Sequence, residues 1–171
     1  MASPPPAASF DSLVREHAGD LFRFAWWLAR DRQQAEDIVQ EALLRGWRAF
    51  PRLRDRAALK SWLFSIVRNE YRRMVSKQGP AAESIDEAGL EIPDERAGLF
   101  GLEMRDAILA LPLAYAEPLA LQVLGGFSCA EIASLCDTTE AAIMTRLTRA
   151  RQALKRLIAA PEVVGRRGGQ S

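Results

Sequence analysis

The 171-residue chain is poor in the residues on which most catalytic and metal sites depend, because it has one histidine and two cysteines. The cysteines, Cys129 and Cys136, match neither a CxxC motif nor a zinc-site spacing, and on a helix both thiols would share one face. Unpaired cysteines are usually buried, so we expect two thiols in a core, with a redox role as the alternative. The sequence predicts no metal, no cofactor, no catalytic residue and therefore no enzyme.

Long apolar runs are also missing. No stretch approaches the roughly 18 apolar residues that a membrane-spanning helix needs. Residues 1–9 are rich in proline, alanine and serine and have neither a basic start nor an apolar segment, so they do not resemble a secretory signal. We expect a disordered leader at 1–9 in a cytoplasmic protein that does not insert stably into a membrane.

The chain lacks a large net charge, which is +1 in total, but its charges are unevenly distributed. Residues 1–78 carry 14 Lys/Arg against 9 Asp/Glu, residues 79–103 carry 1 against 7, and residues 104–171 carry 8 against 6. Salt confines the field of each cluster to about 10 Å, so a near-neutral total does not exclude local phosphate binding. Two basic blocks flank an acidic connector, which is compatible with a nucleic-acid partner.

Helical periodicity predicts a first domain over residues 10–78. Apolar residues recur at helical spacing over Phe10–Arg30, over Gln33–Phe50 and over Leu59–Lys77, and Ser9 or Asp11 is a candidate cap of the first helix. Pro51 ends the second helix, and a basic loop, Arg52–Ala58, follows it.

Two of these helices have outward faces that suit binding. In the second helix, Trp47 is expected to face inward, and the outward face comprises Asp37, Gln40, Glu41, Leu44 and Arg45. In the third helix, the outward face comprises Lys60, Ser61, Phe64, Arg68 and Asn69. Phe64, an aromatic residue among basic ones, is a candidate platform for stacking nucleic-acid bases, or it merely extends the apolar stripe.

Residues 79–98 are predicted to form a linker, because they are acidic, contain Gly and Pro, and have few apolar residues. The two halves of the chain are therefore expected to move relative to each other. The second domain is predicted over residues 99–160, with a tail at 161–171. It begins with a helix that ends at Pro112 and a second helix over Tyr115–Gly125.

The segment from Phe127 to Ile158 predicts a helix-turn-helix. Ser128 and Glu131 form a capping box for a short helix, Asp137 suits a tight turn, and Thr139 is a candidate cap for a longer helix. The longer helix is basic and has no acidic residue after Glu140. In a helix-turn-helix this helix enters the major groove of duplex DNA. The candidate contacts are Thr139, Ala142, Thr145, Arg146, Arg149, Arg151 and Lys155.

Three blocks of the sequence resemble the extracytoplasmic-function (ECF) sigma factors of bacteria. They are DRQQAEDIVQEALLRGWRAF, LKSWLFSIVRNEYRR and FSCAEIASLCDTTEAAIMTRLTRARQAL, in the order in which that family has them. The resemblance covers roughly residues 10–160. It implies an all-α fold of two small helical domains, sigma regions 2 and 4, joined by a flexible acidic linker.

The resemblance also implies partners. The outward face of the second helix matches the family's surface for the clamp helices of the largest subunit of core RNA polymerase, and the polymerase flap is a further contact. The loop with Arg54 and Arg56, and the outward face of the third helix, match the part that melts and recognises the −10 element of a promoter. The basic helix matches the part that recognises the −35 element. An anti-sigma factor is the remaining implied partner, and a membrane-bound one would retain the protein at the membrane.

Two other functions remain as alternatives. One is a sigma-like mimic that sequesters an anti-sigma factor, and the other is a dimeric helix-turn-helix repressor. Met144 stands where the family often has lysine and Asp137 where it usually has glycine, and loss of DNA-binding charge is what a mimic would show. The basic residues Arg146, Arg149 and Arg151 are retained, which favours a working sigma factor.

Overall fold

The structure, a computed structural model, describes residues 7–78 and 107–159, and within these two ranges it contains helices and turns but no strand. The first domain consists of α1 (Ala7–Ala29), α2 (Arg32–Ala49) and α3 (Leu59–Gln78), with short 3-10 helices at Phe50–Arg52 and Arg56–Ala58 between α2 and α3. The second consists of α4 (Leu113–Val123), α5 (Cys129–Leu135) and α6 (Glu140–Ala159). The linker predicted at 79–98 and the tail predicted at 161–171 lie outside the described residues.

α1 begins earlier than the sequence predicts. Residues 7–9, assigned above to a disordered leader, belong to the helix, so Ser9 and Asp11 lie inside it and are not its cap. Alanine has the highest helix propensity, and this lets Ala7 and Ala8 extend the helix toward the three prolines at 4–6. The break after α1 lies where it was expected. Arg30 takes a left-handed φ of 57°, and Asp31 caps α2 by accepting from the Gln34 N–H at 2.8 Å.

The core of the first domain is formed by the inward faces of α1, α2 and α3. Gly46 lets α2 approach its neighbours closely, since a Cβ there would lie 3.5 Å from both Phe10 and Leu63. Trp47, expected to face inward, is instead 46% exposed. The buried stripe of α2 runs through Ala42 and Gly46 toward Phe50, and Trp47 lies one position beside it, about 100° around the helix.

The helix-turn-helix has the local geometry that its sequence predicts. The Ser128 N–H donates to Glu131 Oε2 at 2.7 Å and the Glu131 N–H donates to Ser128 Oγ at 3.2 Å, which completes the capping box. Asp137 takes a left-handed φ of 51° in the turn. Thr139 Oγ1 accepts from the Ala142 N–H at 3.2 Å and so caps α6. α6 buries Ile143, Leu147 and Ala150 against the domain.

The two domains lie against each other, with α1 packed on α4 and α3 near α5. A single cluster of buried apolar residues continues through both of them. The expected independence of the halves is therefore wrong for this arrangement. The reason is that each domain presents apolar side chains to the other, such as Phe64 and Phe127, whose ring centroids lie 5.2 Å apart. Phe24 and Leu28 of α1, absent from the sequence-based core, are buried as well.

Candidate nucleic-acid interface

α6 presents a polar and basic face to solvent on the side opposite its buried residues. The hydroxyls of Thr145 and Thr148 donate to backbone carbonyls of the same helix, at 3.0 and 2.9 Å, which leaves their oxygens able to accept and their methyl groups exposed. Thr139 uses its oxygen as the cap, and Ala142 is half-buried. The central part of the predicted duplex-binding face is therefore formed by α6 side chains beyond the first turn.

The basic residues of α6 differ in how they are held. Arg149 and Lys155 are exposed. Arg151 is also exposed, and its guanidinium donates to Gln122 Oε1 of α4 at 2.5 Å. Arg146 is half-buried and lies near the turn, where its charge acts to lower the pKa of Cys136. Arg149 and Lys155 are therefore the candidates most accessible to a phosphate or a base edge.

The two cysteines are half-buried, so the expectation of two fully buried thiols is wrong. Cys136 follows α5 at its C-terminal end, on the side that faces the first domain, because the short α5 ends at Leu135 and hands the thiol to the turn. Burial, and to a lesser extent the charge of Glu117, raises the pKa of the Cys136 thiol to about 11, against the opposing effect of Arg68. The Cys136 thiol is therefore neutral at physiological pH and a weak nucleophile.

The outward face of α2 is exposed where the sequence predicts it. Asp37 and Gln40 are exposed, and Leu44 is 50% exposed. Arg45 pairs with Glu41 at 3.1 Å and also with the buried Glu70 of α3 at 2.6 Å, so it holds α2 to α3 as well as contributing to the surface. Trp47, which the sequence analysis missed as a surface residue, lies three positions after Leu44, and that spacing puts both on neighbouring parts of the helix surface.

The basic loop between α2 and α3 is accessible. Arg54 and Arg56 are exposed, and Asp55 between them caps the short helix at Arg56–Ala58 by accepting from the Ala57 N–H at 2.9 Å. Asn69 on α3 is exposed. Ser61 is half-buried, and its hydroxyl donates to the Ala58 carbonyl at 3.0 Å. Half of the predicted −10 surface is thus open to a ligand.

The other half of the predicted −10 surface is covered, and the expectation that Phe64 and Arg68 are exposed is wrong for this arrangement. Phe64 is fully buried between Phe24 and Phe127, at 5.2 Å from each ring centroid. Arg68 is 8% exposed and forms an ion pair with Glu117 of α4. Nothing within α3 indicates this burial, because the covering side chains come from the other domain.

Lys60 is half-buried at the edge of the same region, with its ammonium nitrogen 5.6 Å from the centroid of the Phe127 ring. Arg30, at the end of α1, donates to the carbonyls of Leu109 and Leu111, the latter at 2.7 Å. Burial lowers the pKa of Arg30 from its ordinary value. Arg30, Glu117 and Phe127 had no part in the sequence-based site.

Two further searches were negative for residues 7–78 and 107–159. No three His, Cys, Asp or Glu side chains in these ranges come close enough together to hold a metal ion. None of the helices there combines the length and apolar character needed to cross a membrane.

Comparison with protein families divides the chain at the same place as the structure. The Sigma-70 region 2 family matches residues 13–80, and the Sigma-70, region 4 family matches residues 101–154. The ECF RNA polymerase sigma factor SigL of Mycobacterium tuberculosis is 34% identical over 161 residues, which cover 90% of this chain and 91% of SigL. The chain belongs to the ECF sigma factors. This family consists of transcription initiation factors and not of a known class of enzyme.

Other relatives agree with this assignment. The ECF sigma factor EcfG of Rhodopseudomonas palustris is 32% identical over 139 residues, covering 79% of this sigma factor and 77% of EcfG. The sigma factor RpoE of Bartonella quintana, solved in complex with the anti-sigma factor NepR, superposes with a TM-score of 0.75 at 28% identity, covering 89% of this chain and 98% of RpoE. CnrH, solved with the cytosolic domain of CnrY, shares the fold at 22% identity and a TM-score of 0.62. The predicted all-α architecture of two sigma domains is confirmed.

Proposed function

We propose that this ECF sigma factor binds core RNA polymerase through the outward face of α2, opens the −10 element with the Arg52–Ala58 loop and α3, and recognises the −35 element with α6. The observation that carries the proposal is α6 itself. It is an exposed basic helix, capped by Thr139 and packed on α5 as the second helix of a helix-turn-helix, within the segment that matches sigma-70 region 4.

The surface of α2 supports polymerase binding because it combines exposed charges with exposed apolar side chains. Leu44 and Trp47 are 50% and 46% exposed, and tryptophan is among the residues that contribute most binding energy at protein interfaces. Asp37, Gln40 and Glu41 surround them with polar groups, as at the rim of a separable interface. We assign this face to the clamp helices of the largest polymerase subunit. The polymerase flap is a second contact implied by the family.

The two basic surfaces support binding to two forms of promoter DNA. On α6, Arg149 and Lys155 are available to phosphates and base edges of the duplex, and arginine pairs with the O6 and N7 atoms of guanine in the major groove. At the start of α3, Arg54 and Arg56 flank a loop suited to an unpaired strand, whose phosphates provide sequence-independent attraction. Base flipping and stacking on aromatic residues supply the remainder.

We also propose that an anti-sigma factor restrains this protein in the cytoplasm, at the membrane if that partner is itself anchored there. The support is that the solved relatives RpoE and CnrH are held in complexes, RpoE with an anti-sigma factor. The exposed face of α2 and the exposed face of α6 are the surfaces that such a partner would cover.

The test is run-off transcription from a genomic promoter library, with the full-length protein added to core RNA polymerase. A working sigma factor yields transcripts that depend on the protein and share a −35 and a −10 sequence. A mimic binds its anti-sigma factor and yields no transcript, whereas a repressor binds duplex DNA without polymerase and lowers transcription. Either of the last two results would overturn the proposal.

A further inference from the structure

The second domain covers half of the surface that we assign to the −10 strand. We propose that this interdomain contact is a self-inhibited state, in which Phe127 and Glu117 occupy on α3 the positions of a DNA base and a DNA phosphate. We define the interdomain contact by Arg30, Lys60, Phe64 and Arg68 on the first domain and by Glu117, Phe127 and the carbonyls of Leu109 and Leu111 on the second. The inference rests on the proposed −10 role of α3.

The aromatic part of the contact removes the stacking platform. Phe64 has no exposed surface, and the edge-to-face geometry with Phe127, at 84° between the rings, closes the side of the ring not packed on Phe24. The Lys60 ammonium lies 5.6 Å from the Phe127 centroid, so the same ring also engages a cation that would otherwise attract DNA. A base cannot stack on Phe64 until Phe127 leaves.

The charged part of the contact removes a phosphate site. The side chains of Arg68 and Glu117 are only 10% and 18% exposed, and they form an ion pair. A carboxylate offers the guanidinium two anionic oxygens, as a phosphate does, so the two ligands compete for the same donors. Tyr71 lies close to the same pair, and burial raises the pKa of its hydroxyl, which keeps it neutral beside Glu117.

Phe127 is held in place by the chain around it and does not depend on α3 for its position. A Cβ on Gly125 would lie 2.3 Å from Phe127 Cε2 and 2.7 Å from the Leu121 carbonyl oxygen, so only glycine leaves room for the ring. Gly126 takes a φ of 67°, which turns the chain so that Phe127 folds back over α4. The covering side chain is therefore preset by the turn between α4 and α5.

Arg30 fastens the contact at a point separate from the predicted DNA site. It donates to the carbonyls of Leu109 and Leu111 from a left-handed backbone conformation that is uncommon for arginine. Because Arg30 is not among the residues that we assign to DNA, its removal weakens the contact and leaves every proposed DNA contact in place.

The two states are mutually exclusive, so the measured affinity for the −10 strand is the intrinsic affinity multiplied by the fraction of open molecules. A substitution that weakens the contact therefore raises DNA affinity. For Arg30→Ala this sign is diagnostic, because loss of a positive charge by itself lowers affinity for DNA.

The experiment measures binding of the full-length protein to a fluorescent pool of random 12-nucleotide DNA strands, with the radius of gyration followed by small-angle X-ray scattering. Arg30→Ala and Glu117→Gln are expected to raise affinity by about threefold or more and to enlarge the radius of gyration. The matched controls are Arg15→Ala, an exposed arginine of α1, and Glu140→Gln, an exposed glutamate of α6. Neither control should raise affinity as far as its partner does.

Phe64→Ala and Arg68→Ala, each added to Glu117→Gln, separate the two proposals. If both lower affinity in this background but Arg30→Ala and Glu117→Gln do not raise it, the −10 site stands and self-inhibition is wrong. If neither lowers affinity, the −10 assignment of α3 fails, and self-inhibition at that site fails with it. Phe127→Ala is a less conservative variant, and Glu117→Gln keeps the test valid if that protein does not fold.

Discussion

Cys136 shows how a single residue can report on its surroundings. Its thiol ends α5 and lies near both Glu117 and Arg68, at the edge of the interdomain contact. The pKa of the thiol is raised from 9.0 to about 11, mainly by burial. Because the thiolate is the reactive form, the residue is protected in the folded chain in two ways, by its protonation and by its neighbours.

We expect Cys136, in a Cys129→Ser background, to react with iodoacetamide about a hundredfold more slowly below pH 9 in the folded protein than in guanidinium chloride. The raised pKa also makes stability depend on pH. The folded thiol keeps its proton up to about pH 11 while the unfolded one ionises from about pH 9, so stability is full below pH 9 and falls between these values. Cys136→Ala should lack this part of the fall in urea unfolding. Equal pH dependence in the two proteins would contradict the assignment.

Arg149 and Arg146 differ in exposure, and this difference predicts different effects on −35 binding. Arg149→Ala should weaken duplex binding by about 1–3 kcal/mol and relax specificity at one position if it contacts a base, or lower the salt slope by about one if it contacts a phosphate. Arg146→Ala should have a smaller effect, because Arg146 is half-buried beside the turn. Duplex affinity at several salt concentrations distinguishes these cases, with Arg15→Ala as the control.

At the scale of the secondary structure, α2 has two faces with separate tasks. Its buried stripe, which includes Ala42 and Gly46, holds the bundle, and its outward face leaves Leu44 and Trp47 exposed. Exposed apolar side chains so close together are typical of a binding surface. Changes on the outward face should therefore affect binding much more than folding.

We expect Asp37→Lys combined with Glu41→Lys to weaken core polymerase binding while the helical circular dichroism and the melting temperature stay nearly unchanged. The stability cost is small because surface substitutions usually change it by under about 0.5 kcal/mol, and the exposed pair of Glu41 with Arg45 contributes little more. Glu16→Lys, on the exposed side of α1, is the control. Unchanged affinity of the double variant for core polymerase would show that another surface binds it.

At the scale of the whole molecule, opening the promoter requires the −10 strand to be bound more tightly unpaired than paired. Stacking of a base on an aromatic residue contributes about 1–3 kcal/mol, and flipping a base costs a few kcal/mol. The exposed Arg54 and Arg56 loop is available for this at once, whereas Phe64 becomes available only when the domains separate.

Replacement of both Arg54 and Arg56 by alanine is therefore expected to leave core binding and −35 binding intact and to impair strand opening. Permanganate footprinting on a matched template should show the defect, and a template already mismatched across the −10 region should restore activity. Phe64→Ala should behave in the same way once the holoenzyme has formed. Equal losses on both templates would mean that the loop contributes to general affinity, and no loss for Phe64→Ala would mean that Phe64 serves only the core.

The sequence by itself determined the helices, their breaks and the helix-turn-helix. These features depend on contacts between residues three or four positions apart, such as Ser128 with Glu131 and Thr139 with Ala142, and such contacts are written in local spacing. The same locality explains why α6 presents Arg149 and α2 presents Leu44 as expected.

Only the tertiary structure decided which of the outward-facing residues meet solvent. Phe64 and Arg68 occupy a face of α3 whose pattern indicates exposure, and they are buried because Phe127 and Glu117 reach them from the second domain. Periodicity describes one helix against an unspecified core, so it carries no information about a partner helix far along the chain. The placement of these four side chains, and with it the accessibility of the −10 surface, is a property of how the two domains pack.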